Sequence, residues 1–208
     1  MIFKDFQYTG ALYHVISILD LEKVLDGGIK YNDKLSYSSK YYNFHSFFDE
    51  NKIESIPSWV ERKKAIFTSM NFRDKHKWHS HTALLKIKTD ISRCWVCNEN
   101  KANILFEPFI LKNIKGFDKA KKFFDMYGKE IAKDYWMDSL SMVENIRLRK
   151  DKKEGFDEEV LIFEDIPPEN IECIYIFSDH KMMTKTQWSE LFENFTETVY
   201  KPKESIHY

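Results

Sequence analysis

The chain has 208 residues, of which 43% are hydrophobic and 16% aromatic, and its formal net charge is −1. This composition predicts one globular domain over residues 1–208 and excludes both a disordered chain and a generally basic protein. No apolar run approaches the ~20 residues of a membrane span, and the start lacks the basic-then-apolar order of a signal peptide. Three cysteines give no disulfide framework. We therefore expect a cytoplasmic protein with no membrane partner.

The first part of the chain predicts a short helix between strands. Apolar residues recur at helical spacing from Ile18 to Leu25, and Gly27 and Gly28 are typical of a helix C-terminus. The polar and aromatic segment 31–51 has no steady period, which predicts a flexible or partly helical insertion. Strands are expected at 11–15, 65–70 and 82–88.

The second part predicts one long helix and a late pair of strands. Apolar positions from Phe117 to Trp136 trace one helical face, which Gly128 weakens at one point. The charged segment 142–156 predicts a linker, and the apolar residues of 188–195 predict a late helix. Further strands are expected at 94–96, 104–106, 158–163 and 171–177. This order of elements indicates an α+β domain with a largely antiparallel core.

Glu159 opens the apolar run Glu159-Val160-Leu161-Ile162-Phe163, which predicts a strand buried on both faces. A carboxylate entering such a strand must be paired, hydrogen-bonded or used in chemistry, because an uncompensated buried charge is very unfavourable. The alternative is a solvated glutamate at a strand edge, the usual position of this residue type. On the residues alone, the solvated glutamate is favoured.

Three blocks resemble DarT-type, DNA-targeting ADP-ribosyltransferases in their order and spacing. Glu159-Val160-Leu161-Ile162 and the residues that follow to 176 resemble the segment that carries the catalytic glutamate of that family. Leu12-Tyr13-His14-Val15 and segment 21–29 are similar to its opening strand and first helix. Tyr135-Trp136-Met137-Asp138 resembles its aromatic block upstream of the glutamate. The resemblance covers most of the chain.

The resemblance implies an ADP-ribosyltransferase-like fold, in which two small, mainly antiparallel sheets form an NAD cleft with flanking helices. It implies an NAD-dependent mono-ADP-ribosyltransferase, a glycosyltransferase that uses NAD as co-substrate and needs no metal. The acceptor is expected to be a base in DNA, or in RNA, and the context a toxin with an antitoxin partner or a phage-defence effector. The alternatives are transfer to a protein side chain and a catalytically degenerate member that binds nucleic acid or a partner.

Glu159 is the expected catalytic residue. Breaking the bond between nicotinamide and ribose leaves positive charge on the sugar, which a fixed carboxylate stabilises, as in glycosidases. If the carboxylate also meets the acceptor's nucleophile, it can remove a proton. Asp157 would lie on the same side of the strand, where the wider fold often places an acceptor-recognising residue, and Glu158 would face the other way. We expect Glu159→Ala to abolish transfer and leave the fold intact.

The NAD-binding residues are expected on the first strand and in the loops. The resemblance implies that His14 binds a ribose hydroxyl of NAD, whereas the residues alone favour a half-buried histidine satisfied by the backbone. Arg73 is the expected pyrophosphate ligand, because a planar guanidinium suits phosphate oxygens. The resemblance also implies an arginine after the first helix, yet segment 31–51 contains none. Candidates to cover the nicotinamide ring are Tyr37, Tyr41 and Tyr42.

Segment 61–88 contains eight lysines and arginines against two acidic residues. A basic segment interleaved with an aromatic suits a nucleic-acid groove, in which lysines contact phosphates and a ring stacks on a base. Lys75, Lys77 and Trp78 are therefore the predicted substrate-binding residues. The alternative is a solvated basic loop.

One cysteine pair and one histidine cluster have spacings that resemble metal sites, but we expect neither to bind a metal. Cys94 and Cys97 have half-zinc spacing, but on a strand their sulfurs point to opposite faces, which predicts core packing. His76, His79 and His81 lie among lysines that repel a cation, so we expect exposed loop histidines and no metal.

Overall fold

The structure is a computed structural model, and it describes residues 4–31, 39–71, 81–178 and 181–199. Its strands are β1 Leu12–Ser17, β2 Ile66–Thr68, β3 Thr82–Ile87, β4 Cys94–Asn98, β5 Leu140–Ser141, β6 Glu158–Ile162, β7 Ile171–Phe177 and β8 Met182–Met183. Its helices are α1 Phe6–Thr9, α2 Leu21–Gly27, α3 Ser39–Glu50, α4 Glu99–Leu111, α5 Asp118–Met137, α6 Met142–Leu148 and α7 Lys185–Val199. Short 3₁₀ turns include Arg62–Lys64 and Lys150–Lys152.

The strands form two four-stranded antiparallel sheets, in the orders β1-β3-β7-β8 and β2-β6-β4-β5. The two sheets adjoin where Tyr13 of β1 and Ser69 just after β2 exchange backbone hydrogen bonds of 2.9 Å in both directions. The predicted α+β class with two small antiparallel sheets is confirmed. The junction brings the first strand of the chain next to the strand that pairs with β6.

Strand β6 is the centre of the second sheet, and all five of its residues are buried. Alternation along the strand sends Leu161 to a cluster with Phe48 and Trp136, under helices α3 and α5. Val160 and Ile162 pack on the other side, against residues such as Leu12. The prediction of a strand buried on both faces is confirmed. Glu159 shares the side of Leu161.

The two strand cysteines follow the same alternation. Cys94 packs in the cluster that contains Val160, and Cys97 packs in the cluster that contains Leu161. Both are buried and free. Their predicted role in core packing on opposite faces is confirmed.

Helix α5 confirms the predicted long helix and carries Tyr135 and Trp136 into the core, where neither is exposed. Gly128 has a packing role, because a Cβ there would lie 3.3 Å from Cζ of Phe47. Helix α2 also ends as predicted, with Gly28 at φ 76° and its backbone against the carbonyl of Ile166. A side chain at Gly28 would collide with that carbonyl.

The strand predicted at 104–106 is wrong, because these residues lie inside helix α4. Asn98 caps the helix by accepting a hydrogen bond of 3.2 Å from the backbone of Asn100. Leu105 is fully buried while its neighbour Ile104 is 51% exposed, as expected of one helical face. An apolar run of three residues is too short for its period to separate a helix from a strand.

The linker predicted at 142–156 is also wrong, since it contains helix α6 and a 3₁₀ turn. Ser141 caps α6 by accepting a hydrogen bond of 3.2 Å from the backbone of Glu144. Beyond the helix, Arg149 pairs with the buried Asp151 at 2.7 Å. The charged residues that indicated a linker therefore stabilise a folded segment.

Helix α3 and helix α7 complete the layout. Helix α3 lies within segment 31–51, for which a partly helical insertion was predicted, and α7 is the predicted late helix. None of the helices in the described ranges is both long and apolar enough to cross a membrane.

Candidate active site

A cavity of about 580 Å³ opens where the two sheets adjoin. Its walls come from β1, β2, the start of β6, helices α3 and α4, and the turn Arg62–Lys64. His14 and Glu159, which are far apart in the sequence, both line it. The structure therefore brings the predicted catalytic glutamate and the predicted ribose-binding histidine to one cavity.

The Glu159 side chain is buried, with 8% exposed, and its carboxylate accepts three hydrogen bonds. Nη2 of Arg62 donates to both of its oxygens at 2.9 Å, and the hydroxyl of Tyr135 donates to Oε1 at 2.7 Å. The prediction that a carboxylate in this strand must be paired is confirmed. The alternative of a solvated glutamate is wrong.

Arg62 is the counter-ion of Glu159, and only 4% of its side chain is exposed. Its Nε donates to the hydroxyl of Tyr135 at 3.0 Å, and its Nη1 donates to Nδ1 of His45. The guanidinium lies 4.8 Å from the ring centre of Phe67. Burial alone would lower the pKa of Arg62, but the adjacent Glu159 raises it above its usual range. Arg62 therefore stays charged.

Tyr135 connects the two charged groups. Burial raises the pKa of Tyr135 well above its usual value, so its hydroxyl keeps a proton to donate to Glu159. The same oxygen accepts the hydrogen bond from Arg62. Three elements thus meet at the carboxylate, namely β6, α5 and the turn Arg62–Lys64, and α3 adjoins them through the contact of His45 with Arg62.

The role of Arg62 is a correction to the sequence analysis, which placed it at the start of a phosphate-contacting basic stretch. Its guanidinium is buried against Glu159 and cannot reach a nucleic-acid backbone. Lys64 pairs with Glu61 at 2.7 Å, and Lys86 pairs with its cross-strand neighbour Glu172 at 3.6 Å. In the sequence, only the residue type indicated that Arg62 could pair with a buried carboxylate, because arginine suits a bidentate contact of this kind better than lysine does.

His14 is half-buried, and its Nδ1 lies 2.6 Å from the carbonyl oxygen of Phe67. Since a carbonyl only accepts, Nδ1 carries the proton in this bond. The backbone contact expected from the residues alone is therefore present, and the ring also lines the cavity with Glu159.

The acidic residues around Glu159 are not arranged as predicted. Glu158 faces the other side of β6, as expected, where it accepts a hydrogen bond of 3.0 Å from Ser69 Oγ, and it also lines the cavity. Asp157 precedes the strand, and its backbone is tied to Asn98 and Glu99. The structure places Glu99, and not Asp157, in the cavity lining.

Glu99 is the first residue of α4. Burial, together with the negative charges of Glu159 and Asp157 and against the opposing charge of Arg62, raises the pKa of Glu99 to about 7. A carboxyl group that titrates near neutral pH inside a cavity is a candidate for proton transfer. Nothing in the sequence singled it out.

Among the tyrosines, Tyr41 lines the cavity and stacks on Phe106 with ring centres 5.8 Å apart. Tyr42 is 42% exposed and does not line the cavity. The remaining predicted site residues lie outside the described residues: Tyr37, Arg73, Lys75, Lys77 and Trp78.

A search of the described ranges finds no group of three or more histidine, cysteine or acidic side chains that could hold a metal ion. His76 and His79 lie outside those ranges. The ionisable side chains in the cavity lining include carboxylates, an arginine and histidines.

Comparison of this chain with protein-family models, with curated proteins and with solved structures finds no match.

Proposed function

We propose that this chain is a DarT-like, NAD-dependent mono-ADP-ribosyltransferase with an ADP-ribosyltransferase-like fold, acting on a base in nucleic acid, with DNA favoured over RNA. One observation carries the proposal. His14 and Glu159, which the sequence resemblance assigns to NAD binding and catalysis, line the same cavity at the junction of the two sheets. A volume of about 580 Å³ lies within the ~300–1,000 Å³ typical of ligand pockets.

The geometry at Glu159 suits stabilisation of a cationic sugar. Arg62 and Tyr135 hold the carboxylate in one orientation, so no reorganisation is needed when charge develops on the ribose. Oε1 accepts two hydrogen bonds and Oε2 accepts one. Because each carboxylate oxygen offers about two acceptor sites, Oε2 keeps one for a ribose hydroxyl. Glu159 would then both position the sugar and stabilise its positive charge.

Arg62 also bears on the arginine that the resemblance implies after the first helix. Segment 31–51 lacks it, and Arg62 supplies an arginine at the glutamate from the turn that follows α3. An arginine thus contacts the predicted catalytic glutamate, although none lies in segment 31–51.

The experiment that tests the proposal is incubation of the protein with labelled NAD and separate pools of DNA, RNA and protein. Label on DNA or RNA that is lost in Glu159→Gln supports the proposal. Label on protein alone would instead establish the protein-modifying alternative, and label on no pool would establish a degenerate, non-catalytic protein.

His14→Ala should weaken NAD binding by about two- to tenfold, because a hydrogen bond to a ribose hydroxyl in a cavity contributes roughly 0.5–1.5 kcal/mol. Calorimetric titration of NAD without an acceptor measures this. The melting curve of the variant serves as the control for folding, since the contact of His14 with Phe67 is also lost. Unchanged NAD affinity in a folded variant would show that β1 does not line the NAD site.

Binding to single-stranded DNA should fall steeply with added salt, because each neutralised phosphate contributes a log–log slope of about −0.7. The double variant Lys75→Glu/Lys77→Glu should weaken binding to all sequences, and Trp78→Ala should remove stacking of roughly 1–3 kcal/mol. Titrations of DNA and RNA at two salt concentrations measure both effects.

A matched control for the charge change is Lys129→Glu/Lys133→Glu, on the exposed face of α5. It should leave binding unchanged. Equal loss in both double variants would indicate a general charge effect, and salt-insensitive binding in the wild type would argue against a nucleic-acid acceptor.

A further inference from the structure

We propose that Glu99 is a second catalytic carboxylate, which takes the proton from the acceptor's nucleophile while Glu159 stabilises the charge on the ribose. This inference rests on the proposed ADP-ribosyl transfer and divides between two residues the roles that the sequence analysis gave to one.

Glu159 is poorly suited to accept a proton. Three hydrogen bonds from Arg62 and Tyr135 occupy its oxygens. Protonation would also neutralise the counter-ion of a guanidinium that is 4% exposed, and a buried unpaired charge is strongly unfavourable. The pair therefore favours a carboxylate that keeps its charge through the reaction.

Glu158 is also less suited, although it lines the cavity. It faces the opposite side of β6 from Glu159 and accepts a hydrogen bond of 3.0 Å from Ser69 Oγ. An acceptor that attacks a ribose lying against Glu159 would approach on the Glu159 side of β6, opposite the side that the Glu158 side chain faces.

Glu99 has the position and the freedom that a base needs. Its backbone is fixed, because its N–H donates to the Asp157 carbonyl at 2.7 Å and Asn98 caps the helix that begins there. Its carboxylate lines the cavity beside Glu159 and accepts no hydrogen bond from any side chain or backbone group in the described part of the chain. Of the three carboxylates that the described residues place in the lining, Glu99 is thus the one whose acceptor sites are all open to a ligand. Glu159 keeps one open site, on Oε2, and Glu158 already accepts a hydrogen bond.

The surroundings of Glu99 also bring its pKa close to neutral pH. The charged and titratable groups that line the cavity with Glu99 or act on its charge include Glu158, Glu159, Asp157, Arg62, Lys30, His45 and His14. Burial, with the charges of Glu159 and Asp157, raises the pKa of Glu99 to about 7. A general base is most effective when its pKa lies near the working pH.

The step balances without another reactant. The acceptor's N–H or O–H gives its proton to Glu99, and the freed electron pair forms the bond to C1′ of the ribose. The bond from C1′ to the nicotinamide nitrogen breaks, its electron pair stays on nicotinamide, and nicotinamide leaves as a neutral molecule. Glu99 then releases the proton to solvent.

The test is the dependence of the transfer rate on pH, measured with labelled NAD and the nucleic-acid pool that accepts the label. Wild type should gain activity as pH rises through about 7, because Glu99 must be ionised. Glu99→Gln should lower the rate above that pH by roughly 10²–10⁴-fold and lose this rise. Its NAD affinity, measured by calorimetry without acceptor, should stay that of the wild type.

Two further variants separate a catalytic from a structural role. Glu99→Asp keeps a titrating carboxylate, so it should keep a pH-dependent rate above that of Glu99→Gln. Glu107→Gln makes the same change at an exposed site on the same helix and should match the wild type in both readouts.

The outcomes distinguish this inference from the proposed function. If wild type is active and Glu99→Gln keeps its rate, or loses rate but keeps the rise through about pH 7, Glu99 is not the base. If wild type transfers no ADP-ribose to any pool, the proposed function and the role of Glu99 are both overturned.

Discussion

Glu159→Gln is expected to lower ADP-ribosyl transfer by about 10²–10³-fold or more, the range found when a preorganised electrostatic contact to the transition state is removed. The amide has nearly the shape of the carboxylate, and its oxygen can still accept hydrogen bonds from Arg62 and Tyr135. It carries no charge to offer the cationic ribose. The loss should therefore appear in the chemical step.

The choice of glutamine over alanine follows from the buried pair. The sequence analysis expected Glu159→Ala to leave the fold intact, but that change would remove the counter-ion of Arg62, whose side chain is 4% exposed, together with both carboxylate oxygens that accept its hydrogen bonds, whereas glutamine removes the charge and keeps an acceptor oxygen. Breaking a buried pair in this way costs about 3–5 kcal/mol. Inactivity of the alanine variant would therefore combine lost chemistry with lost stability.

The measurement is the initial rate of label transfer, made well below the melting temperature of each variant. Glu130→Gln, at an exposed site on α5, provides the matched control and should keep full activity. If Glu159→Gln turns over NAD at nearly the wild-type rate, the catalytic assignment is wrong, and Glu158 becomes the next carboxylate to test.

Much of the fold could be predicted because long apolar runs and periodic faces report burial directly. The strands at 158–163 and 171–177 and the helix at 117–136 have such patterns, and each was found within a few residues of its position. The errors occurred where the pattern was short or masked by charge. Segment 104–106 is one turn of α4. In segment 142–156 the charged residues indicated a linker, but the segment contains α6 and charged residues that pair with one another.

At the candidate site, prediction from the sequence is limited by tertiary contacts rather than by the length of a pattern. The apolar run after Glu159 predicted a doubly buried strand, in which a carboxylate must be paired, but glutamate is usually solvated, and on the residues alone the solvated alternative was wrongly favoured. The partner of Glu159 could not be predicted, since two half-buried lysines follow Arg62 in the sequence and only the folded arrangement places Arg62, rather than a lysine, at the carboxylate. Glu99 was missed for the same reason: its raised pKa is a product of tertiary neighbours.

Arg62→Met is expected to destabilise the protein by about 3–5 kcal/mol, because it leaves the buried Glu159 without its counter-ion. The double variant Arg62→Met/Glu159→Leu should recover most of this loss. Apolar residues of similar volume often replace a buried ion pair at no cost in stability, and Phe44, Phe48 and Phe67 surround the guanidinium. The pair would then serve catalysis more than folding.

Urea unfolding of the wild type, both single variants and the double variant gives the coupling energy between the two residues. Lys64→Met is the matched control, since it breaks a pair of 2.7 Å whose side chains are 33% and 26% exposed, and such pairs contribute only about 0–1 kcal/mol. A double variant that loses the sum of the two single losses would contradict coupling between Arg62 and Glu159. Recovered stability without recovered transfer is the result expected if the buried charges are retained for the reaction, because the double variant has no carboxylate to stabilise the ribose.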